Sequence, residues 1–452
     1  MTSGHHPNGR LRALMAESGW TGEALARAVN TAGRETGLRL RYRRDAVSRW
    51  LAGMRPRPPV PDLVAEVLSR RAGRHVTAQE AGLVAAETGA RSPHWWQVVP
   101  VGALFDAGVG AYSVAALAVP PWTAHPVEHP AADPRTGPRV GAGEVAAARL
   151  MARLFADADT AFGGGHSRHT LASYLSATVA PWLRADAAPA VRLDLLSTAA
   201  GLATLCGAMA VDDRANACAQ RHYLAALRLS AEAGNAPAHA VALRGLAEQA
   251  RLLGHAHHAD RLAEAAVRTA GDNAHPRLAA SLHGELAASA AAADRGQRAA
   301  RHLTAAHRAL ERDTEPDDDP DAPLSDLLLP GTRGHHWAVL AQHRAEVAAC
   351  AADRPAAINA LRASLRHRPT PERRARALTL ARLGELHLAE GQVEDACRAW
   401  GRFLDDHPAL TSARADAAFD ALRTHLRAHL SVPAARALWT RVATGPAARA
   451  GA

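Results

Sequence analysis

Between residues 43 and 57 the chain sets Arg43, Arg44, Asp45, Ser48 and Arg49 close together, then Arg55 and Arg57, all within RYRRDAVSRWLAGMRPRPP (41–59). These residue types suit recognition of a polyanion. A guanidinium is a rigid fork of donors that meets two acceptors at once, as on guanine O6 and N7. Each such contact discriminates between bases by about 1–3 kcal/mol. Arg55 and Arg57, in a proline-stiffened turn, suit phosphates, which position a protein on a duplex without reading its sequence.

A helix with a core beneath it must position these residues. Val47, Trp50 and Leu51 lie at helical spacing, which predicts a helix over RRDAVSRWLAG (43–53) that Gly53 ends. With that stripe inward, Arg44, Asp45, Ser48 and Arg49 face outward near the helix start. Upstream, Leu11, Leu14 and Met15 form a stripe that stops at Ser18 and Gly19. Thr21 is an expected N-cap with Glu23 in the first turn, and Leu25, Ala26 and Val29 carry a stripe that ends near Gly33 or Gly37. Pro61 and Asp62 open a further helix, with Leu63, Val64, Val67 and Leu68 inward and Gly73 closing it. LARAV (25–29), with the small Ala26, followed by a packed second helix is what a helix-turn-helix needs in order to lay that helix in the major groove. The segment NTAGRETGLRLR (30–41) is expected to lengthen the turn. The plain alternative is a solvated amphipathic helix on an arginine-rich surface.

Charge is segregated along the chain. Residues 1–100 hold 15 Arg against 8 Asp and Glu, while the remaining 352 hold 38 against 36, so most of the net +9 sits in the first hundred. A basic domain joined to a nearly neutral body is the footprint of a polyanion partner. The basic side chains are all arginine, with no lysine, and Ile358 is the single isoleucine, a bias typical of a GC-rich genome. Cys206, Cys218, Cys350 and Cys397 form no CxxC pair and read as reduced, buried thiols of a cytosolic protein. MTSGHHPNGR lacks the apolar run of a signal peptide. The most apolar stretch, residues 98–120, is broken by Pro100, three glycines and Asp106. An aspartate at mid-helix costs about 2.5–3.5 kcal/mol on membrane insertion. The expectation is a buried connector in a cytoplasmic protein with no membrane partner.

Residues 122–143 carry four prolines without periodicity and read as a linker or long loop. From about 144 onward the chain reads as helical, with an internal repeat. Ala219, Ala259, Ala299, Ala357, Ala396 and Ala435 fall 40, 40, 58, 39 and 39 residues apart. Four positions on come Tyr223, Ala263, Leu303, Leu361, Trp400 and Trp439; seven on come Ala226, Ala266, Ala306, Ser364, Phe403 and Val442. These offsets share one helix face, led by a small residue where a neighbour approaches closely. The long interval is one repeat plus an insertion, DTEPDDDPDAPLSDLLLPGTRG (313–334), with seven acids and one arginine. It reads as a solvated loop whose charge is complementary to that of the first hundred residues. GGGH (163–166) reads as a helix-connecting turn and not a phosphate loop, because the GxGxxG context is missing. His255, His257 and His258 cluster without partners at metal-ligand spacing. No nucleophile–base pair, HExxH or paired carboxylates stand out, so neither enzyme activity nor a cofactor is expected.

LARLGELHLAEGQVEDACRAWGRFLDDHP (380–408) resembles the tetratricopeptide pattern in register, with His387 where tyrosine is usual. LARAV together with VSRWLAG resembles the Cro/CI-type helix-turn-helix. Over most of the chain, residues 41–77 and FGGGHSRHTLASYLSATVAPWLR (162–184) resemble the actinobacterial regulators with a helix-turn-helix head and a tetratricopeptide-like body. That group includes repressors of sporulation and antibiotic production. The resemblance implies a sequence-specific repressor of developmental or secondary-metabolism genes.

The expected fold is therefore all-α: a helix-turn-helix domain over 1–90, an apolar connector and linker over 91–143, and a tetratricopeptide-like α-solenoid over 144–445. The expected DNA-binding residues are Arg43, Arg44, Asp45, Ser48, Arg49, Arg55 and Arg57, with no catalytic or metal residues. The expected partners are double-stranded DNA, a second copy of the chain in a homodimer, and a peptide or protein effector on the repeats. The competing expectation is a helical-repeat interaction scaffold with little DNA binding.

Overall fold

The computed structural model describes residues 6–36, 38–84, 95–98, 100–105, 112–123, 139–314 and 333–444. Residues 85–94 at the expected head boundary, 106–111 within the apolar stretch, 124–138 of the linker and 315–332 of the acidic insertion lie outside the described residues. The protein is all-helical. Among the described residues the only β-type pairing is an isolated bridge between Arg139 and Asp186.

The chain forms two compact units. One comprises Met1–Ala148 and Ala172–Gly271, the other Arg149–Leu171 and Asp272–Ala452. The first unit thus holds the head, the connector and the first repeats together.

The head comprises α1 (Gly9–Glu17), α2 (Gly22–Glu35), α3 (Arg44–Leu51) and α4 (Val60–Ala72). Its core is the set of stripes read from sequence: Leu11, Leu14, Leu25, Ala26, Val29, Val47, Trp50, Leu63, Val64, Val67 and Leu68 are all buried. Leu51 is only partly buried and packs at the edge of that core. Thr21 caps α2 by accepting from the Ala24 N–H at 3.2 Å, which satisfies one of the orphan donors of the first turn. Gly73, at φ 65°, closes α4 in the left-handed conformation. Asn8 fastens both ends of the domain. Its side-chain oxygen accepts from Leu11 N at the start of α1, and its amide donates to the carbonyls of Ala81 and Gly82 at 2.9 and 3.2 Å.

Two expectations need correction here. α2 runs on to Glu35, so half of the segment read as an extended turn is helix; Asn30, Ala32 and Arg34 all belong to it. α3 is shorter than 43–53, starting after Arg43 and ending at Leu51.

The described part of the connector buries most of its large apolar side chains. Leu104, Phe105, Tyr112, Val114 and Leu117 are all inside. Gln220 holds the Ser113 backbone with a reciprocal pair of 2.8 Å bonds, one donated and one accepted.

The repeats are antiparallel helix pairs. In the first unit Pro189–Asp212 pairs with Asn216–Glu232, and Ala236–Leu252 with Ala256–Ala270. In the second, Pro276–Ala292 pairs with Gly296–Glu311, Arg333–Cys350 with Arg354–His367, Arg373–Ala389 with Val393–Asp406, and Ala413–Ala428 with Pro433–Thr444. Every leading alanine of the sequence repeat lies in the second helix of its pair and is fully buried. A small side chain there lets the partner backbone come close, and the +4 side chain fills the space beyond. Tyr223 shows why: a Cβ added at Gly207 would meet its ring at 2.8 Å, and Gly245 abuts the same ring from another helix.

Helix Pro189–Asp212 is apolar and long enough to cross a bilayer by composition, but 72% of its apolar window is buried among its neighbours. Cys206 and Cys397 are buried as expected, whereas Cys350 is exposed because it ends its helix at the surface. Asp313, read as part of a solvated loop, is instead 1% exposed and paired with Arg277 at 3.0 Å.

Candidate nucleic-acid interface

The candidate face is built on α3. Ala46, Val47 and Trp50 point into the head core, at 4%, 0% and 3% exposure. Of the remaining positions of this short helix, Arg44, Asp45, Ser48 and Arg49 are exposed and Leu51 is partly buried; Arg43, immediately before it, is exposed too. Asp45 sits in the first turn, where a carboxylate complements the positive end of the helix. The Ser48 hydroxyl donates to the Arg44 carbonyl at 3.2 Å, leaving its oxygen lone pairs free to accept. After α3 the chain reverses at Gly53, φ 103°, with Met54 N donating to the Arg49 carbonyl at 3.0 Å. Only a residue without a side chain takes that φ freely. The loop beyond it carries Arg55 and Arg57, both exposed.

The approach to α3 is held just as firmly. Asn30 of α2 donates to the Tyr42 carbonyl and accepts from the Tyr42 N–H, both at 2.8 Å. The Tyr42 ring meets Trp50 edge to face at 5.2 Å. Gly33 makes room for Leu40, whose side chain a Cβ there would meet at 2.6 Å. These contacts fix the strand of loop from Leu38 to Arg43, so Arg39 and Arg41, both exposed, run directly into the α3 face.

These arginines share the strip with one carboxylate, Asp45, and none of them is paired with it. Among the described residues, Arg39, Arg41, Arg43, Arg44, Arg49, Arg55 and Arg57 make no ion pair. The described glutamates of the head are committed to other arginines. Glu23 pairs with Arg27 at 2.9 Å, Glu17 and Glu80 with Arg74 at 3.2 and 3.5 Å, and Glu35 and Glu66 with Arg70 at 2.8 and 2.7 Å. Glu80 is held below the usual carboxylate range, first by the Thr77 backbone N–H. Of the eleven head arginines without an ion pair among the described residues, seven lie on this strip; Arg10, Arg12, Arg34 and Arg71, on α1, α2 and α4, are the other four. A field of one sign around a polyanion site raises its association rate and costs the protein some self-repulsion.

The Glu66 carboxylate reaches further within the first unit. It lies 3.2 Å from His255 Nε2, and His255 is 2% exposed with its ring parallel to Tyr112 at 5.7 Å. Burial raises the Tyr112 hydroxyl well above its ordinary range and lowers His258 to about 4. The three neighbouring histidines thus diverge: His255 meets Glu66, His257 is exposed and His258 is half-buried. Gly163 of the GGGH segment is a turn. It adopts φ 89°, and the Gly165 N–H that a phosphate would need is bonded to the Thr411 carbonyl at 2.9 Å.

Six of the seven expected site residues are thus on or beside α3 in one continuous, solvated strip, and the seventh, Arg57, closes it before α4. Sequence periodicity missed Asn30, Tyr42, Arg39 and Arg41. They sat in what read as a turn, and only the run of exposed arginine at every second position from Arg39 to Arg43 signalled them.

Residues 11–84 match the family described as the SP15 N-terminal domain. The match begins at Leu11 in α1 and ends just past the Ala81–Gly82 turn that Asn8 ties back to it. No curated protein and no solved structure matches the chain.

Proposed function

We propose that the chain is a sequence-specific DNA-binding transcriptional regulator. In this reading α2 and α3 form a helix-turn-helix of lengthened first helix, α3 enters the major groove, and Arg44 and Arg49 read base edges beside Asp45 and Ser48. Arg43, Arg55 and Arg57 hold phosphates on either side. The observation that carries the reading is the strip of exposed arginines over a buried stripe, without ion pairs among the described residues, in a head whose described glutamates are paired with other arginines. An arginine-rich surface without function would spread its ion pairs evenly.

The tetratricopeptide-like body dimerises the chain and binds an effector. A dimer places two heads on half-sites about one helical turn apart. Leu150 and Leu154, 58% and 53% exposed one turn apart on Ala142–Phe162, are apolar side chains left for a second copy. The resemblance to developmental repressors makes repression the expected sign of regulation. A gel shift on genomic fragments across a salt series tests the reading, followed by footprinting of the retained fragments. Binding that is absent at low salt would leave the chain as a repeat scaffold; light scattering that gives a monomer both free and on DNA would remove the dimer.

A further inference from the structure

A second arginine cluster lies in the second unit, on a surface of different construction. Arg362 and Arg366 sit one turn apart on Arg354–His367, and Arg398 and Arg402 one turn apart on Val393–Asp406. All four are exposed, and together they line a groove of about 500 Å³. Its floor is apolar: Leu380, Leu383 and Ala399 are buried beneath it and Leu365 is partly exposed to it. Asp395, paired with Arg398, is the only carboxylate lining it.

The groove is partly organised in advance. His387 is 3% exposed, and its Nδ1 is 2.6 Å from the Gln392 side-chain oxygen. On the other side of the ring, Nε2 lies 3.4 Å from the Arg362 guanidinium. Arg366 and Arg402 make no hydrogen bond or ion pair among the described residues. Two guanidiniums are thus steered and two are unengaged, around a floor that water wets poorly.

We infer that this groove binds a short acidic segment of a partner protein, with one or two leucine-like side chains against the floor and carboxylates on the two arginine rows. Charge complementarity selects the acid, since four guanidiniums face one carboxylate, and bidentate guanidinium–carboxylate pairing suits arginine. The floor selects a peptide over a nucleic-acid backbone, because phosphates and sugars offer nothing apolar to pack on the partly exposed Leu365 and the groove lined by Leu380 and Leu383. Apolar anchors flanked by charges are the pattern of a peptide in a helical groove. The inference names the effector class for the body of the proposed regulator; it rests on that half of the proposal and not on DNA binding by α3.

The probe is a labelled twelve-residue peptide of aspartate, glutamate and two leucines, titrated into the full chain by fluorescence anisotropy. Arg366→Glu/Arg402→Glu should weaken it by about tenfold or more, as should replacing both leucines of the peptide with serine. The milder Arg366→Gln/Arg402→Gln keeps the test alive should charge reversal disturb folding, with circular dichroism melting as the check. Equal binding by the serine peptide, or unchanged binding by both arginine variants, would overturn the inference. So would a short random duplex that competes with the peptide and loses affinity in the groove variants. DNA affinity left unchanged by the groove variants separates this site from α3, so failure of one reading is distinguishable from failure of the other.

Discussion

The arginines of α3 and those of the second unit's groove are the same residue type doing opposite things with the space between them. On α3 the side chains stand on a convex helix, and the apolar stripe of Val47 and Trp50 is turned wholly inward. Little apolar surface accompanies them, only Met54 at 42% exposure and the partly buried Leu51, so the face suits a ligand made mostly of charge and hydrogen-bond acceptors. In the groove, Arg362, Arg366, Arg398 and Arg402 border an apolar floor in which Leu365 is partly exposed. That surface suits a ligand carrying both carboxylates and leucines. In a chain with no lysine, arginine itself says little about partners. What it leaves unpaired, and what lies beside it, says more. Elsewhere in the second unit arginine is plainly structural: Arg376 grips Asp406 through two nitrogens at 2.6 and 2.8 Å, and Arg374 meets Asp159 at 2.7 Å.

The hardest way to break the comparison is to remove what lies beneath one face. Trp50 is 3% exposed and makes the edge contact with Tyr42. Trp50→Ala should cost the head about 3–5 kcal/mol, by loss of burial plus the cavity left behind. Specific DNA binding should vanish with it, while the acidic peptide still binds the groove. Denaturant melts and the two titrations check this; retention of specific DNA binding would mean that the stripe does not orient the face.

Acid tests whether binding fails through the fold and not through the faces. His239, in the first unit, is held down to about 4, mainly by burial and against the pull of its bond to the Leu227 carbonyl. Its folded-state value lies below the unfolded one, so the neutral form is the folded form. The stability it contributes is complete above about 6.5 and is lost as pH falls from 6.5 to 4, amounting to about 3 kcal/mol at most. His258, lowered to about 4 chiefly by burial, acts in the same window. Chemical denaturation at pH 7.5 and 4.5 should show the first unit weakening first. His239→Gln/His258→Gln should flatten that dependence, and an unchanged acid limb would reject the assignment.

Within the α3 face the comparison sharpens to base against phosphate. Arg49 lies on the solvent side of the helix, between buried Val47 and Trp50. Arg49→Ala should weaken binding to a specific site by about 1–3 kcal/mol and leave random DNA little affected. The ratio of the two affinities is the measurement, and equal losses would remove the base-reading role.

Much of this was legible beforehand, for a physical reason. Helix faces are written in local periodicity, so the head core and the buried alanines at each repeat's second helix could be read from spacing alone. Ion pairing is not local. Glu35 and Arg70 are 35 residues apart and Glu17 and Arg74 are 57 apart, and no spacing rule joins them. The sequence therefore indicated a basic head but not which arginines remain unpaired. The groove was illegible for the same reason, since its two arginine rows belong to different helices. Asn30 read as the start of a turn because its stripe ends at Val29, yet its amide pins Tyr42 across the loop.

The smallest expected effect separates the two ends of the α3 strip. Arg57 follows Gly53 in a loop that leads into α4, and its backbone carbonyl accepts from the Val60 N–H at 3.0 Å. Its side chain therefore projects from a fixed point at the edge of the face, beyond the end of α3. In the proposed complex a guanidinium there would meet phosphate, and phosphate contacts release condensed counterions. Arg57→Ala should weaken specific and random duplexes alike. It should also reduce the slope of log affinity against log salt by about 0.9, the share of one phosphate contact. Arg49→Ala should change the slope less and the specificity ratio more. Titrations of both variants from low to moderate salt, on one specific and one random duplex, give the two numbers together. If Arg57→Ala alters specificity and leaves the salt slope intact, the division of the strip into reading and anchoring residues is wrong, and the loop must enter the groove beside α3.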